Sequence, residues 1–309
     1  MKPERIDDLI REALAIEAHE AKEAGALGFM ARALTQATLP HSNPHGHTFE
    51  RQNGLMNLTI MAPPRLGLPY GSYPRLLLSW LTTEAVRTKS PELQLGPSLS
   101  SFMAELSLLP TGGRWGTIPR LRDQMNRLFT STISCTYTNG DFDAGKGFML
   151  TSEFQLWWHP KNPDQATLWN STVTLSHEFF KDVIDSPIPV DMRALKALKK
   201  SPMALDIYCW LTYRMSYLRK KTLIPWKCLQ MQFGSDYAVQ RQFKAAFLKH
   251  LKSVCLIYPE ARVYDLPKGL ILEPSRPHVA KRLVPDQPRH KLPRPKKDDP
   301  IRDMFDPIY

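Results

Sequence analysis

The sequence predicts an α+β chain: two tandem modules, each a set of three helices closed by a β-hairpin, followed by a disordered basic C-terminal tail. Three observations predict it. The 309 residues are 42% apolar and 23% charged, ordinary globular usage in a chain long enough for about two domains. Helical spacing and short alternating runs follow one another in an order that occurs twice. The net charge of +11 is confined to one part of the chain: residues 193–297 carry 23 basic and 6 acidic side chains, whereas residues 1–54, 55–192 and 298–309 are each slightly acidic.

Residues 4–24 place Ile6, Leu9, Ile10, Ala13 and Leu14 on one face of an amphipathic helix, which can dock on a partner or on the body. Residues 38–54, with Pro40, Pro44, His41, His45 and His47, have linker composition. A folded domain is expected from Leu55, where a strand runs to Met61 and stops at Pro63 and Pro64. A strongly apolar helix over 72–88 has Ser72 as its cap and Pro74 in its first turn. Pro97 and Ser98 open a second helix. Thr117 caps a third, on which Ile118, Leu121, Met125, Leu128 and Phe129 share one face while Arg120, Gln124 and Arg127 lie opposite. Strands at 132–138 and 147–158 then form a hairpin.

The order repeats. A strand at 171–175 leads to helices capped by Ser176 and started at Asp191, and Ser201 and Pro202 open a helix to about 217 that is apolar nearly all round. Pro225 starts a short helix ended by Gly234. Residues 236–252 form the most clearly two-faced helix, with Val239, Phe243, Ala246, Phe247 and His250 on one side and Tyr237, Gln240, Arg241 and Lys244 on the other. Strands at 254–258, 261–265 and 269–273 follow. Helix, short helix, turn, basic helix and hairpin is the winged-helix arrangement, a helix-turn-helix plus a β-wing. The expected divisions are an N-terminal helix and linker over 1–54, a first winged-helix domain over 55–170, a second, DNA-binding one over 171–279 and a Pro-rich basic tail over 280–309. Between Pro274 and Pro300, seven prolines among basic residues leave nothing to bury a core.

A cationic block of this size suggests a polyanionic partner, nucleic acid or an anionic membrane surface. No run approaches the roughly 18 apolar residues of a membrane span, and the start Met-Lys-Pro-Glu-Arg-Ile-Asp-Asp lacks a signal-peptide core. That puts nucleic acid ahead, in a cytoplasmic protein. Cys135, Cys209, Cys228 and Cys255 form no C-x-x-C pair and read as reduced core residues.

A recognition helix must bury one face on its own domain and offer long donors on the other. Gln240, Arg241 and Lys244 meet that need, because Arg and Lys read guanine, Gln reads adenine, and all three can take phosphate. The competing reading is a solvated surface helix. Arg114, Arg120, Gln124 and Arg127 make the same case in the first module, with Asp123 on the same side. Lys220 and Lys221, beside Arg219, suit a flanking backbone or equally a helix C-terminus. The tail reads as a counterion-releasing arm. His45-Gly46-His47 superficially matches a nickase metal motif, but it sits in a linker rather than on a buried strand. Asp141 and Asp143 lack the remaining ligands of a calcium loop, and no G-x-x-x-x-G-K-[ST] occurs. No catalytic residue, metal or cofactor is expected.

Several strings carry a resemblance: Gly-Ser-Tyr-Pro-Arg-Leu-Leu-Leu-Ser-Trp-Leu (71–81), Leu-Gly-Pro-Ser-Leu-Ser-Ser-Phe-Met (95–103), Thr-Gly-Gly-Arg-Trp-Gly-Thr-Ile-Pro-Arg-Leu-Arg-Asp-Gln-Met (111–125), Ser-Pro-Met-Ala-Leu-Asp-Ile-Tyr-Cys-Trp-Leu-Thr-Tyr-Arg (201–214), Phe-Gly-Ser-Asp-Tyr (233–237) and Leu-Glu-Pro-Ser-Arg-Pro-His-Val (272–279). Over about residues 55–279 the chain resembles the plasmid-encoded RepA replication initiators of bacteria. The resemblance implies two winged-helix domains that bind repeated double-stranded sites in a plasmid origin, help open the adjacent duplex and recruit the host initiator and replicative helicase. It implies monomers that activate and a homodimer that represses. It carries recognition roles to Arg114, Arg120, Arg122 and Arg127 and to Tyr237, Arg241 and Lys244, although Arg122 projects near the apolar side of its helix. The expectation is thus a non-enzymatic initiator. A winged-helix repressor acting on an inverted repeat is the alternative, and a rolling-circle nickase the third reading.

Overall fold

The computed structural model describes residues 3–17, 21, 23–139, 142–158, 161–165, 171–234 and 237–279. The tail expected over 280–309 lies outside the described residues, as do Gly140 and Asp141 at a hairpin tip and Ser235 and Asp236 ahead of the basic helix.

Helix α1 (Pro3–Glu17), strand β1 (Leu27–Met30) and helix α2 (Arg32–Gln36) open the chain. The segment 38–54, expected as a linker, instead ends in strand β2 (Thr48–Asn53), paired antiparallel with β3 (Met56–Met61) from Thr48↔Met61 to Asn53↔Met56. Phe49 and Arg51 alternate inward on β2, and the Arg51 guanidinium lies 5.0 Å from the Phe49 ring centroid, so an arginine can occupy an inward position.

Helix α3 (Ser72–Thr88) is buried over most of its length. Gly71, not Ser72, is its N-cap: it adopts φ 78°, a left-handed conformation that suits glycine, and its N–H donates to the Pro40 carbonyl at 3.1 Å. Strand β4 (Glu92–Gln94) and helix α4 (Leu99–Glu105) follow, the helix opened by a capping box in which Ser98 and Ser101 serve each other's backbone N–H. Helix α5 (Thr117–Phe129) has Gly116 as its N-cap rather than Thr117, whose hydroxyl is used in the loop before it.

Strands β5 (Thr132–Asn139) and β6 (Phe142–Met149) form a hairpin where one was expected, but its second strand covers 142–149 rather than 147–158. It joins β2 and β3 in a sheet of order β2-β3-β5-β6. Strand β7 (Thr151–Gln155) leaves that sheet; the Thr151 hydroxyl is held by the Phe129 carbonyl and a register irregularity follows between Thr151 and Glu153. β7 pairs with β8 (Thr172–Leu175), which pairs with β4, giving the order β4-β8-β7. The strand expected to start the second module therefore completes the sheet of the first.

Helix α6 (His177–Asp185) is capped by Ser176 through Phe179 N. Strand β9 (Ile188–Asp191) pairs with β1, and Asp191 caps α7 (Met192–Leu198). Helix α8 (Pro202–Tyr217), capped by Ser201, is buried from Met203 to Met215, as its uniform apolarity predicts. Strand β10 (Thr222–Pro225), helix α9 (Trp226–Phe233), helix α10 (Gln240–Ile257) and strands β11 (Val263–Leu266) and β12 (Gly269–Leu272) complete the fold. Residues 254–257, expected as strand, are the last turn of α10, because Val254 and Ile257 at helical spacing both reach the core.

The C-terminal sheet has the order β10-β12-β11. In each half, with the β5–β6 hairpin set aside, helix, strand, helix and helix precede two strands, and the last strand inserts between the other two. α3 packs on both α5 and α8, joining the halves, and α1 lies against α7 and α10 with Leu9 and Ile16 buried. Residues 274–279, expected to begin the loose tail, are held. Tyr258 Oη donates to the Arg276 carbonyl at 2.5 Å, Tyr208 Oη lies 2.7 Å from His278 Nδ1, and Val279 is buried. No helix among the described residues is long and apolar enough to cross a membrane.

Candidate nucleic-acid interface

Helix α10 is set by aromatic packing on its inner face. Phe243 and Phe247 are fully buried, with Phe247 5.5 Å from Phe233 and 5.8 Å from Trp226 between ring centroids. The chain enters through Gly234, where a Cβ would fall 2.7 Å from the Phe243 ring, so α9 and α10 approach as closely as glycine allows. Phe243 and Phe247 thereby turn Gln240, Arg241, Gln242, Ala245, Lys249 and Lys252 outward, all exposed. Gln240 and Arg241 stand where the sequence puts them.

Lys244 does not project freely with them. Its Nζ is 2.8 Å from Asp265 Oδ1, donates to the Leu266 carbonyl at 3.2 Å and lies 4.8 Å from the Trp226 ring. It ties the first half of α10 to the β11–β12 hairpin. The reason is register: Asp265 and Leu270 oppose one another on the sheet face toward the helices, while Pro267 and Lys268 form the exposed turn. Tyr237 is half-buried with its ring 6.0 Å from Phe243, so it supports the helix entrance. Lys220 is exposed, and Lys221 is exposed but pairs with Glu273 at 2.9 Å.

The first module divides the expected residues more sharply. Arg114, Arg120 and Arg122 are exposed, the last against its helical projection. Gln124 is 4% exposed; its Oε1 accepts the Tyr70 N–H at 2.8 Å and its Nε2 donates to Asp123 at 3.1 Å. Arg127 bonds Asp123 at 2.9 Å and the Leu68 carbonyl at 3.2 Å, and lies 5.4 Å from the Tyr70 ring. Both were expected to face a ligand, and both are corrected by one feature: the connection 66–70 between β3 and α3 crosses the C-terminal half of α5. The exposed half begins at its N-terminus.

Just before that N-terminus the chain displays two side chains that residue counting for donors passed over. Leu109 is 80% and Trp115 74% exposed, with the Arg114 guanidinium 5.1 Å from the indole centroid. A lone tryptophan among glycines ahead of a basic helix was a readable signal.

His45 and His47 are exposed on the approach to β2, and no group of three His, Cys, Asp or Glu side chains able to hold a metal occurs among the described residues. All four cysteines are free thiols, and burial pushes Cys135 up to about 12 and Cys255 up to about 11, which keeps them protonated.

A family model described as "Plasmid encoded RepA protein" matches residues 68–227. A crystal structure of selenomethionine derivatives of domains 2 and 3 of RctB superposes with a TM-score of 0.52 at 9% identity, covering 81% of this chain and 99% of that one, a likeness of fold. A second, of RctB domains 2–3, gives a TM-score of 0.48 at 11% identity, covering 78% and 94%. A search of curated proteins returns no match.

Proposed function

Because the chain belongs to the plasmid-encoded RepA family, we propose that it is a plasmid replication initiator, a non-enzymatic protein that binds repeated double-stranded sites at the origin. Each half is read as a winged helix. In the second, α10 is the recognition helix and the 267–268 turn the wing tip. In the first, α5 is the recognition helix, β7 and β8 are the wing strands, and the β5–β6 hairpin is an insertion ahead of them.

The observation that carries this reading is the equivalence of α5 and α10. Each is the third helix of its half, follows a sheet strand of the same order, and turns arginine outward beside a buried apolar face. The DNA-facing set is Arg114 just ahead of α5 with Arg120 and Arg122 on it, and Gln240 and Arg241 on α10, with Lys220 on flanking phosphates. The two helices enter successive major grooves about one helical turn, roughly 34 Å, apart. Phosphate contacts fix orientation, and deformation of the bound duplex favours melting of adjacent A+T-rich steps. Host initiator and helicase join the opened origin, and a homodimer serves repression.

Transforming a plasmid that carries the gene and its flanking DNA into a host unable to replicate the vector tests the proposal. Stable maintenance, lost on Arg120→Ala with Arg241→Ala, supports it. A protein that binds the flanking DNA but never sustains the plasmid is a repressor instead.

A further inference from the structure

The loop ahead of α5 is cross-tied by hydrogen bonds between its own residues. Thr111 N–H donates to Thr117 Oγ1 and Thr117 N–H to Thr111 Oγ1, both at 2.9 Å, and Thr117 Oγ1 in turn donates to the Leu109 carbonyl at 2.5 Å. Gly116 N–H bonds the Gly113 carbonyl at 3.0 Å and Ile118 N–H the Thr111 carbonyl at 3.2 Å. The closure is so tight that a Cβ on Gly116 would sit 2.2 Å from the Thr111 carbonyl oxygen. Five hydrogen bonds thus hold the segment from Leu109 to Ile118, which presents Leu109 and Trp115 to solvent.

Burying an indole is favourable because it removes a large apolar surface from water, and a loop free to fold down would capture some of that gain. This one holds the ring out at 74% exposure, with the Arg114 guanidinium against it. A ring so displayed, fixed in place beside a cation and next to a helix bearing Arg120 and Arg122, has the makings of a stacking platform. Aromatic rings bind any base through its π-face, and a guanidinium alongside strengthens the site and meets the phosphate. Preorganisation lowers the entropic cost of docking.

We propose that Trp115 is a binding site for an unpaired nucleobase, with Arg114 holding the adjoining phosphate. This deepens the initiator reading and rests on it. The loop captures a base released when the duplex beside α5 is unstacked, so Trp115 serves strand opening beside the duplex-reading Arg120 and Arg122, with Arg114 common to both.

The test uses the full-length chain and Trp115→Ala, with Trp115→Phe as the conservative variant. Substituting so exposed a ring leaves the core intact, which an unchanged urea midpoint verifies. The probes are a single-stranded oligothymidylate of roughly sixteen nucleotides and duplex DNA from beside the gene, with permanganate reactivity of unpaired thymines as the opening readout. The expected result is about tenfold or greater loss of single-strand affinity for Trp115→Ala, duplex affinity within about twofold of the parent, weaker permanganate reactivity, and partial recovery with Trp115→Phe. Unchanged single-strand binding and opening would overturn the proposal, as would an equal loss on both probes or a change confined to the sedimentation coefficient. If the parent protein binds the oligothymidylate but no duplex, the initiator reading fails while the base site stands. If it binds neither, both fail.

Discussion

Asp206 on α8 receives both Nε and Nη2 of Arg75 on α3 at 2.7 Å, in a bidentate pair only 8% and 4% exposed. The remaining guanidinium hydrogens go to the carbonyls of Leu39, Pro40 and Gly71, and His41 Nε2 approaches the same carboxylate at 2.7 Å. Burial alone would raise the Asp206 carboxyl, but Arg75 and His41 outweigh it and hold it below the usual range. One fully satisfied ion cluster therefore fixes the first half of the chain to the second, and with it the relation between α5 and α10.

Removing one partner leaves a buried charge unmatched. Asp206→Ala or Arg75→Ala should each cost about 3–5 kcal/mol, and the double variant less than the sum. Urea unfolding of the four proteins checks this. A loss under about 1 kcal/mol would mean that the pair is hydrated and does not hold the halves.

Acid should destabilise the protein through histidine. Burial lowers His41 despite Asp206, burial helped by Lys249 and Arg5 brings His250 down to about 4, and burial lowers His278. Each is neutral when folded, so below about pH 6.5 the unfolded chain binds more protons and stability falls with pH. For His250 the fall runs from about 6.5 down to about 4. The urea midpoint should drop between about pH 7 and about pH 5, and His250→Asn should flatten the slope. A midpoint that rises on acidification contradicts the assignment.

Helix α5 should separate by function along its length. Arg120→Ala and Arg122→Ala should weaken site-specific binding by about 1–3 kcal/mol where they reach bases. Gln124→Ala and Arg127→Ala, whose side chains hold the 66–70 connection, should lower the unfolding midpoint instead. Gel-shift titration alongside thermal melts makes the distinction.

Lys244 and Asp265 offer a sign test. If Lys244 is a tether between α10 and the β11–β12 hairpin, Asp265→Ala and Lys244→Ala both weaken DNA binding. If Lys244 reaches phosphate directly, Asp265→Ala frees it and tightens binding, the opposite sign in the same titration.

Much of this fold was written locally. Ser98, Ser176, Asp191 and Ser201 each sit at a helix start and each cap is made. The uniform apolarity of α8 foretold its central place. What was illegible depends on partners distant in sequence. β1 finds β9 across the chain, and nothing in Leu27–Met30 names that partner. The β5–β6 hairpin had the right form for a wing and the wrong neighbours, because sheet membership is a tertiary fact. Val254, Ile257 and Tyr258 have strand-like chemistry, yet packing continued the helix through the first two. At the interface, exposure of Arg241 followed from helical periodicity, whereas loss of Gln124 and Arg127 came from a connection some 55 residues upstream.

Hydroxyl-radical footprinting of the full-length protein on the DNA flanking its gene tests the central claim most directly. Two cationic helices carried by rigidly joined halves predict two protected tracts on one face of the duplex, about ten base pairs apart, with Arg120→Ala and Arg241→Ala each weakening a different tract. A single tract, or two on opposite faces, would contradict it.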